Sequence, residues 1–225
     1  MKNVSLFLCG ALLLGAGCGP NPPVEYKLSA EQIAWQPYKT GDQLRFGQAH
    51  TSKVRTFTIT EVKVQFHEYS VGGNAMVYLG PPKKIKAQEL DVYARRTDTL
   101  RYVRTPTSTP AQPDSVPDLS SSTLISMGAN EYRSITYLNW DIGFGSSLPL
   151  DQKLPENQLA DTTRQLLPNL RLSDIDYGPV WRIYNELSFL PTVHPRARPA
   201  RLVYFAKGYG VVGFVEGNTL WYRLP

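Results

Sequence analysis

The sequence predicts a mainly β protein: a single antiparallel β-sheet domain, a sandwich or a half-barrel, with one or two short helices. Two observations carry that expectation. Phe57 and Ile59 alternate with threonines, and Val62, Val64 and Phe66 alternate with Glu61, Lys63, Gln65 and His67, the period-two pattern of a strand with one apolar face. Near the C-terminus three β-rich runs, 201–207, 211–216 and 219–224, are separated only by Gly208-Tyr209-Gly210 and Gly217-Asn218. Connections that short between apolar runs read as an antiparallel meander.

In chain order, the first element is not part of the sheet. Met1-Lys2-Asn3 is followed by an apolar run over 4–14, then Gly15-Ala16-Gly17 and Cys18. A basic start, an apolar segment too short to span a bilayer and small residues before a cleavage point are the parts of a secretory signal peptide. The stretch Leu14-Gly15-Ala16-Gly17-Cys18 resembles the lipobox of bacterial lipoproteins, with Leu14 one place earlier than the usual branched apolar residue. The resemblance implies cleavage after residue 17 by the lipoprotein-specific peptidase, lipidation (a palmitate-type anchor) at Cys18 and residence in the bacterial cell envelope, at the outer membrane. Gly15 and Gly17 also suit ordinary signal peptidase cleavage, which would release a soluble chain with Cys18 near its start.

Residues 18–25 then form the lipidated cysteine and a Pro-rich tether, and 26–225 the β-rich domain. Pro20, Pro22 and Pro23 forbid a helix in the tether, because proline restricts both itself and its predecessor. Ser29-Ala30-Glu31-Gln32 has the form of a capping box and predicts one or two helical turns ending before Pro37. In the 57–66 segment the apolar parity switches between Ile59 and Val62. One buried face cannot survive that switch in a regular strand, so a bulge is expected at Thr60-Glu61. Gly72-Gly73-Asn74 reads as a hairpin turn with a return strand at 76–79, and strands follow at 90–95 and 100–104.

Residues 105–122 turn to Pro, Ser, Thr and Asp, which predicts a long exposed loop. Strands resume at 123–127 and 132–140, before a glycine-marked break at 141–145. Pro155-Glu156-Asn157-Gln158, followed by Leu159, Leu166 and Leu167 and closed by Pro168, predicts a helix. Residues 180–187 suit either helix or strand. The run from Tyr204 to Phe214, with Lys207-Gly208-Tyr209-Gly210-Val211-Val212 at its centre, is similar to the closing strands of exported β-rich lipoproteins; that likeness implies a sheet and an address, with no activity attached.

The chemistry legible in the sequence is sparse. The 225 residues include 2 cysteines and 3 histidines; Cys9 leaves with the signal, and His50, His67 and His194 are far apart. No cofactor or transition metal is therefore expected, since such sites need three or four ligands at motif spacing. His67 follows the polar parity of its strand and should face solvent. Gly145-Ser146-Ser147 lacks the flanking glycines of a nucleophile elbow. Asp174 and Asp176 offer two carboxylates to calcium but no EF-hand loop.

The formal charge of +5 is modest. It suits anionic headgroups or envelope polysaccharide better than nucleic acid, and no nucleic-acid partner is expected. The 13 Tyr, 8 Phe and 4 Trp suit a sheet core first and a binding platform second.

The expected function is a membrane-anchored, non-catalytic binding or assembly module, held through Cys18, with an envelope protein or polysaccharide as partner. The alternatives are a carrier that cradles acyl chains or lipoproteins in an apolar cavity, and an envelope glycan or peptide hydrolase. The first needs a void lined by several strands. The second needs a cleft with paired carboxylates or a serine and histidine in contact.

Overall fold

The computed structural model describes residues 22–48, 51–71, 83–97, 121–130, 135–141, 143–150, 163–185 and 200–225. Among them, β1 (Val24–Tyr26), α1 (Ala30–Ile33), β2 (Gln43–Gln48), β3 (Val54–Val71), β4 (Lys83–Arg96), β5 (Ser122–Gly128), β6 (Ile135–Trp140) and β7 (Phe144–Leu148) make the first half. The second half is β8 (Arg164–Leu167), β9 (Leu170–Leu172), β10 (Ile175–Tyr177), β11 (Val180–Tyr184), β12 (Ala200–Ala206), β13 (Gly210–Glu216) and β14 (Thr219–Arg223).

Twelve strands form one sheet in the order β7-β6-β5-β4-β3-β2-β14-β13-β12-β11-β8, with β1 added in parallel to the free part of β4. All other pairings are antiparallel, and the sheet curls into a half-barrel.

The bulge expected at Thr60-Glu61 is present: the register of β3 on β4 shifts between Ile59 and Glu61. The extra residue turns Val62 to the face already used by Phe57 and Ile59, so one concave side stays apolar across the kink. The capping box also forms. Ser29 Oγ accepts from the Gln32 N–H and the Gln32 side chain accepts from the Ser29 N–H, which ties down a single helical turn that would not hold by itself. The C-terminal meander matches its expected runs to within one residue.

One expectation is corrected. Leu166 and Leu167 lie on a strand: β8 pairs with β11, Leu167 opposite Val180 and Leu166 opposite Trp181. The reason is that this part of the sheet is covered on both faces. Leu166 packs on the main core and Leu167 on a second cluster, so two adjacent leucines, which look helical under a one-face pattern, serve opposite sides of a strand. Residues 155–162 lie outside the described residues. The same double burial explains the ambiguous 180–187 run, where Val180 belongs to one cluster and Trp181 to the other. The loop at 105–120, the turn and return strand over 72–79, the strand at 100–104 and Cys18, His50 and His194 also fall outside the described residues.

The main core fills the concave side. Phe46 meets Trp140 and Phe214 edge-on at 5.2 Å in each case, and Phe57 lies 4.5 Å from Trp140. The second cluster sits on the opposite face of β11, β12 and β13, under the hairpin of β9 and β10. Gly213 permits that cover: a Cβ there would approach Leu172 Cδ1 to 2.9 Å.

The two edge strands of the half-barrel are bridged by side chains. Arg164 on β8 donates to the Ser147 carbonyl at 3.1 Å and to Ser147 Oγ at 2.6 Å. Asn185, just after β11, donates to the carbonyls of Gly143 at 2.7 Å and Ala200 at 3.2 Å. Backbone groups at an edge otherwise stay open to unwanted strand pairing. Asn185→Ala would strand two partly buried carbonyls, so we expect a loss of about 1–3 kcal/mol in urea unfolding, with the amides of β7 exchanging first. Unchanged stability would mean the bridge is incidental.

Candidate functional site

The most open part of the molecule is the ribbon made by β3 and β4. β3 runs for 18 residues and β4 for 14, paired from Phe57 opposite Arg96 to Val71 opposite Lys83. β2 covers β3 only up to Thr58. Asp42 and Gly41 bond the backbone of Ile59, and Thr40 Oγ1 accepts from the Val62 N–H at 3.1 Å. Beyond Val62 no described strand pairs with that edge. On the β3 side the edge is therefore open for roughly 30 Å, nine residues at ~3.3 Å each, while on the other side β5 pairs β4 as far as Glu89 and β1 pairs it from Ile85 to Ala87.

This produces a second correction. Val64 and Phe66 share the parity of the core face, yet they are 54% and 38% exposed, because the strand continues after the core has ended. Tyr69 and Val71 are exposed on the other face. A strand pattern reports which side is apolar and carries no information about where the covering layer stops.

Beside the end of β5, toward the outer part of this ribbon, lies a groove of about 320 Å³ lined by His67, Tyr69, Ala87, Gln88, Glu89, Gly128 and Ala129. Neighbouring strands put its polar groups together: His67 Nε2 is 2.7 Å from Glu89 Oε2, and Gln65 Nε2 donates to the same oxygen at 3.3 Å. Gln88 Oε1 is already engaged, accepting from the Leu28 N–H at 3.0 Å. His67 faces solvent as its parity predicts, with 56% of its side chain exposed. Its pairing with Glu89 could not be foreseen from spacing, since it depends on the register set by the bulge.

The pair has the geometry of an acid and a base in contact, but both members are open to water, and the groove residues include no serine, threonine or cysteine beside the Tyr69 phenol. The volume is at the small end of ligand pockets. The arrangement suits holding a polar group better than transforming one.

The other candidate residues are placed apart. Ser146 is buried on β7 and Ser147 is bound by Arg164, so both belong to the edge bridge. Asp174 and Asp176 sit on the exposed β9–β10 hairpin, where Asp176 is 4.0 Å from Arg171. Among the described residues no group of three or more potential ligands could hold a metal ion. No described helix is long and apolar enough to cross a membrane.

Of the aromatics, Trp35, Trp140, Trp181 and Trp221 are core residues, while Tyr69, Tyr137 and Tyr209 are exposed. The indole N–H groups of Trp140, Trp181 and Trp221 have no acceptor among the described residues; we have no physical account of all three.

No family model, curated protein or solved structure matches the chain.

Proposed function

We propose that the chain is a lipid-anchored protein of the bacterial envelope, attached at Cys18 and probing its surroundings as a non-catalytic binding or assembly module. The observation that carries the reading is the lipobox-like Leu14-Gly15-Ala16-Gly17-Cys18 followed by a proline-rich tether that runs straight into the sheet as β1. The shape of the described domain supports a binding role. Its concave side is filled by rings where a carrier would need a void, and four exposed apolar side chains, Val64, Phe66, Tyr69 and Val71, lie on the open stretch of β3. The partner falls among envelope proteins or polysaccharide.

Metabolic labelling with palmitate tests the anchor. The wild-type chain should incorporate label and the Cys18→Ala chain none, and the mature N-terminus should carry the mass of an acylated cysteine. An unlabelled wild-type protein, or equal labelling of Cys18→Ala, would sink the reading.

A further inference from the structure

β1 is parallel to β4, with Val24 opposite Ile85 and Tyr26 opposite Ala87. Lys83, the first residue of β4, lies opposite Val71 at the end of β3. The chain therefore enters the sheet beside the outer end of the ribbon. Five residues lie between Cys18 and Val24, and the six steps from one to the other span at most about 20 Å. An acyl chain on Cys18 would hold the end of the ribbon close to the bilayer.

The side chains at that end have the character of a membrane interface. Tyr69 and Val71 are 43% and 45% exposed. Lys83 is exposed on their face, opposite Val71, while Lys84 and Lys86 lie on the other face with Phe66, the Lys86 ammonium 4.8 Å from its ring centroid. The charged groups there are Lys83, Lys84, Lys86 and Lys27 against Glu68 and Glu25, the last 3.8 Å from Lys86 and 3.4 Å from Lys27. The balance is basic, and small aromatic and apolar groups interleaved with lysine suit a layer of anionic headgroups over acyl chains. A peptide strand added to the free edge of β3 would use backbone bonds and would gain nothing from the lysines on β4.

We propose that the outer end of the β3–β4 ribbon rests on the anionic leaflet that holds the anchor, with Tyr69 and Val71 at the interface and Lys83, Lys84 and Lys86 against the phosphates. The proposal rests on acylation at Cys18. It makes the ribbon a second contact that fixes the orientation of the domain relative to the membrane.

The test uses the full acylated protein with a single bimane label, at Ser70→Cys on the ribbon or at Asn218→Cys in the turn between β13 and β14. That turn is at the opposite end of β3, because Glu216 pairs with Arg55. On vesicles of phosphatidylcholine and phosphatidylglycerol, the probe at 70 should shift to the blue and be quenched by nitroxide lipids, and the probe at 218 should do neither.

Replacing Lys83, Lys84 and Lys86 together with serine, or using phosphatidylcholine alone, should reduce quenching at 70, as should high salt, which screens exposed charge. If the acylated protein floats with the vesicles but both probes behave alike, or quenching at 70 ignores charge and salt, this inference fails and the anchor stands. A shift at 70 that appears without vesicles as protein concentration rises assigns the ribbon to a second copy and also overturns it. A protein without an acyl chain overturns the anchor and the inference together.

Discussion

Trp221→Ala should lower stability by about 3–5 kcal/mol, the usual loss for truncating a large buried aromatic, and a chain stopped after Gly217 should fail to fold. Trp221 is 4% exposed. Its ring stacks on Phe214 with centroids 5.8 Å apart and planes 8° apart, and the Arg55 guanidinium lies 4.1 Å from its centroid. That guanidinium also pairs with Glu216. Removing the indole therefore opens a cavity and loosens an ion pair at one point.

The position in the sheet enlarges the effect. β14 lies between β13 and β2, with Phe214 opposite Trp221 and Trp221 opposite Gln48, so it is the strand that joins the two halves. A loss of that size is a large share of the roughly 5–15 kcal/mol that holds a domain folded. Urea unfolding measures the first variant, and limited proteolysis of the shortened chain the second. A shortened protein that melts like the full one would show that β14 is dispensable.

Gly210→Ala should be nearly as damaging, at about 2–5 kcal/mol, while Gly208→Ala, two residues earlier, should cost only about 1–2 kcal/mol. Both glycines have φ of 76°, so both substitutions meet the same backbone penalty. They differ in surroundings: a Cβ at 208 meets nothing within 4 Å, whereas a Cβ at 210 would overlap the Tyr38 ring and hydroxyl.

Tyr38 is buried, and the Val211 N–H donates to its oxygen at 2.6 Å. Displacing the ring strands that N–H and unpins the segment between α1 and β2 from the turn that starts β13. Equal losses at 208 and 210 would remove Tyr38 from the account.

Burial also pushes the Tyr38 phenol up to about 12 from its ordinary value of 10. The folded state then holds a proton that the unfolded chain releases, so this contribution is complete below pH 10 and declines as pH rises from 10 toward 12. Tyr38→Phe should lose that part of the alkaline decline.

What could be read in advance was local. The parity switch at Ile59 and Val62, the Ser29 and Gln32 capping pair and the glycine punctuation of the meander each need only a few neighbouring residues to be interpreted. What escaped depends on residues far away in the chain. Leu166 and Leu167 are strand residues because β8 pairs with β11 and is covered on one face by the main core and on the other by the cluster under the β9–β10 hairpin. Phe66 is exposed because β2 ends its pairing at Thr58. His67 meets Glu89 because β4 returns along β3 in one particular register. The lipobox resemblance rests on consecutive residues, which is why it is legible while the groove is not.

The placement of β14 also sets an order in time. Its partner β2 is made early and β14 after every other described strand, with Arg223 pairing to Phe46. During synthesis the strands from β2 to β7 can pair among themselves, but the free edge of β2 must wait for β14. A closure between such distant segments is slow, because the loop entropy is lost before the contact is gained. The two halves of the sheet thus stay unjoined on the nascent chain until β14 has been made.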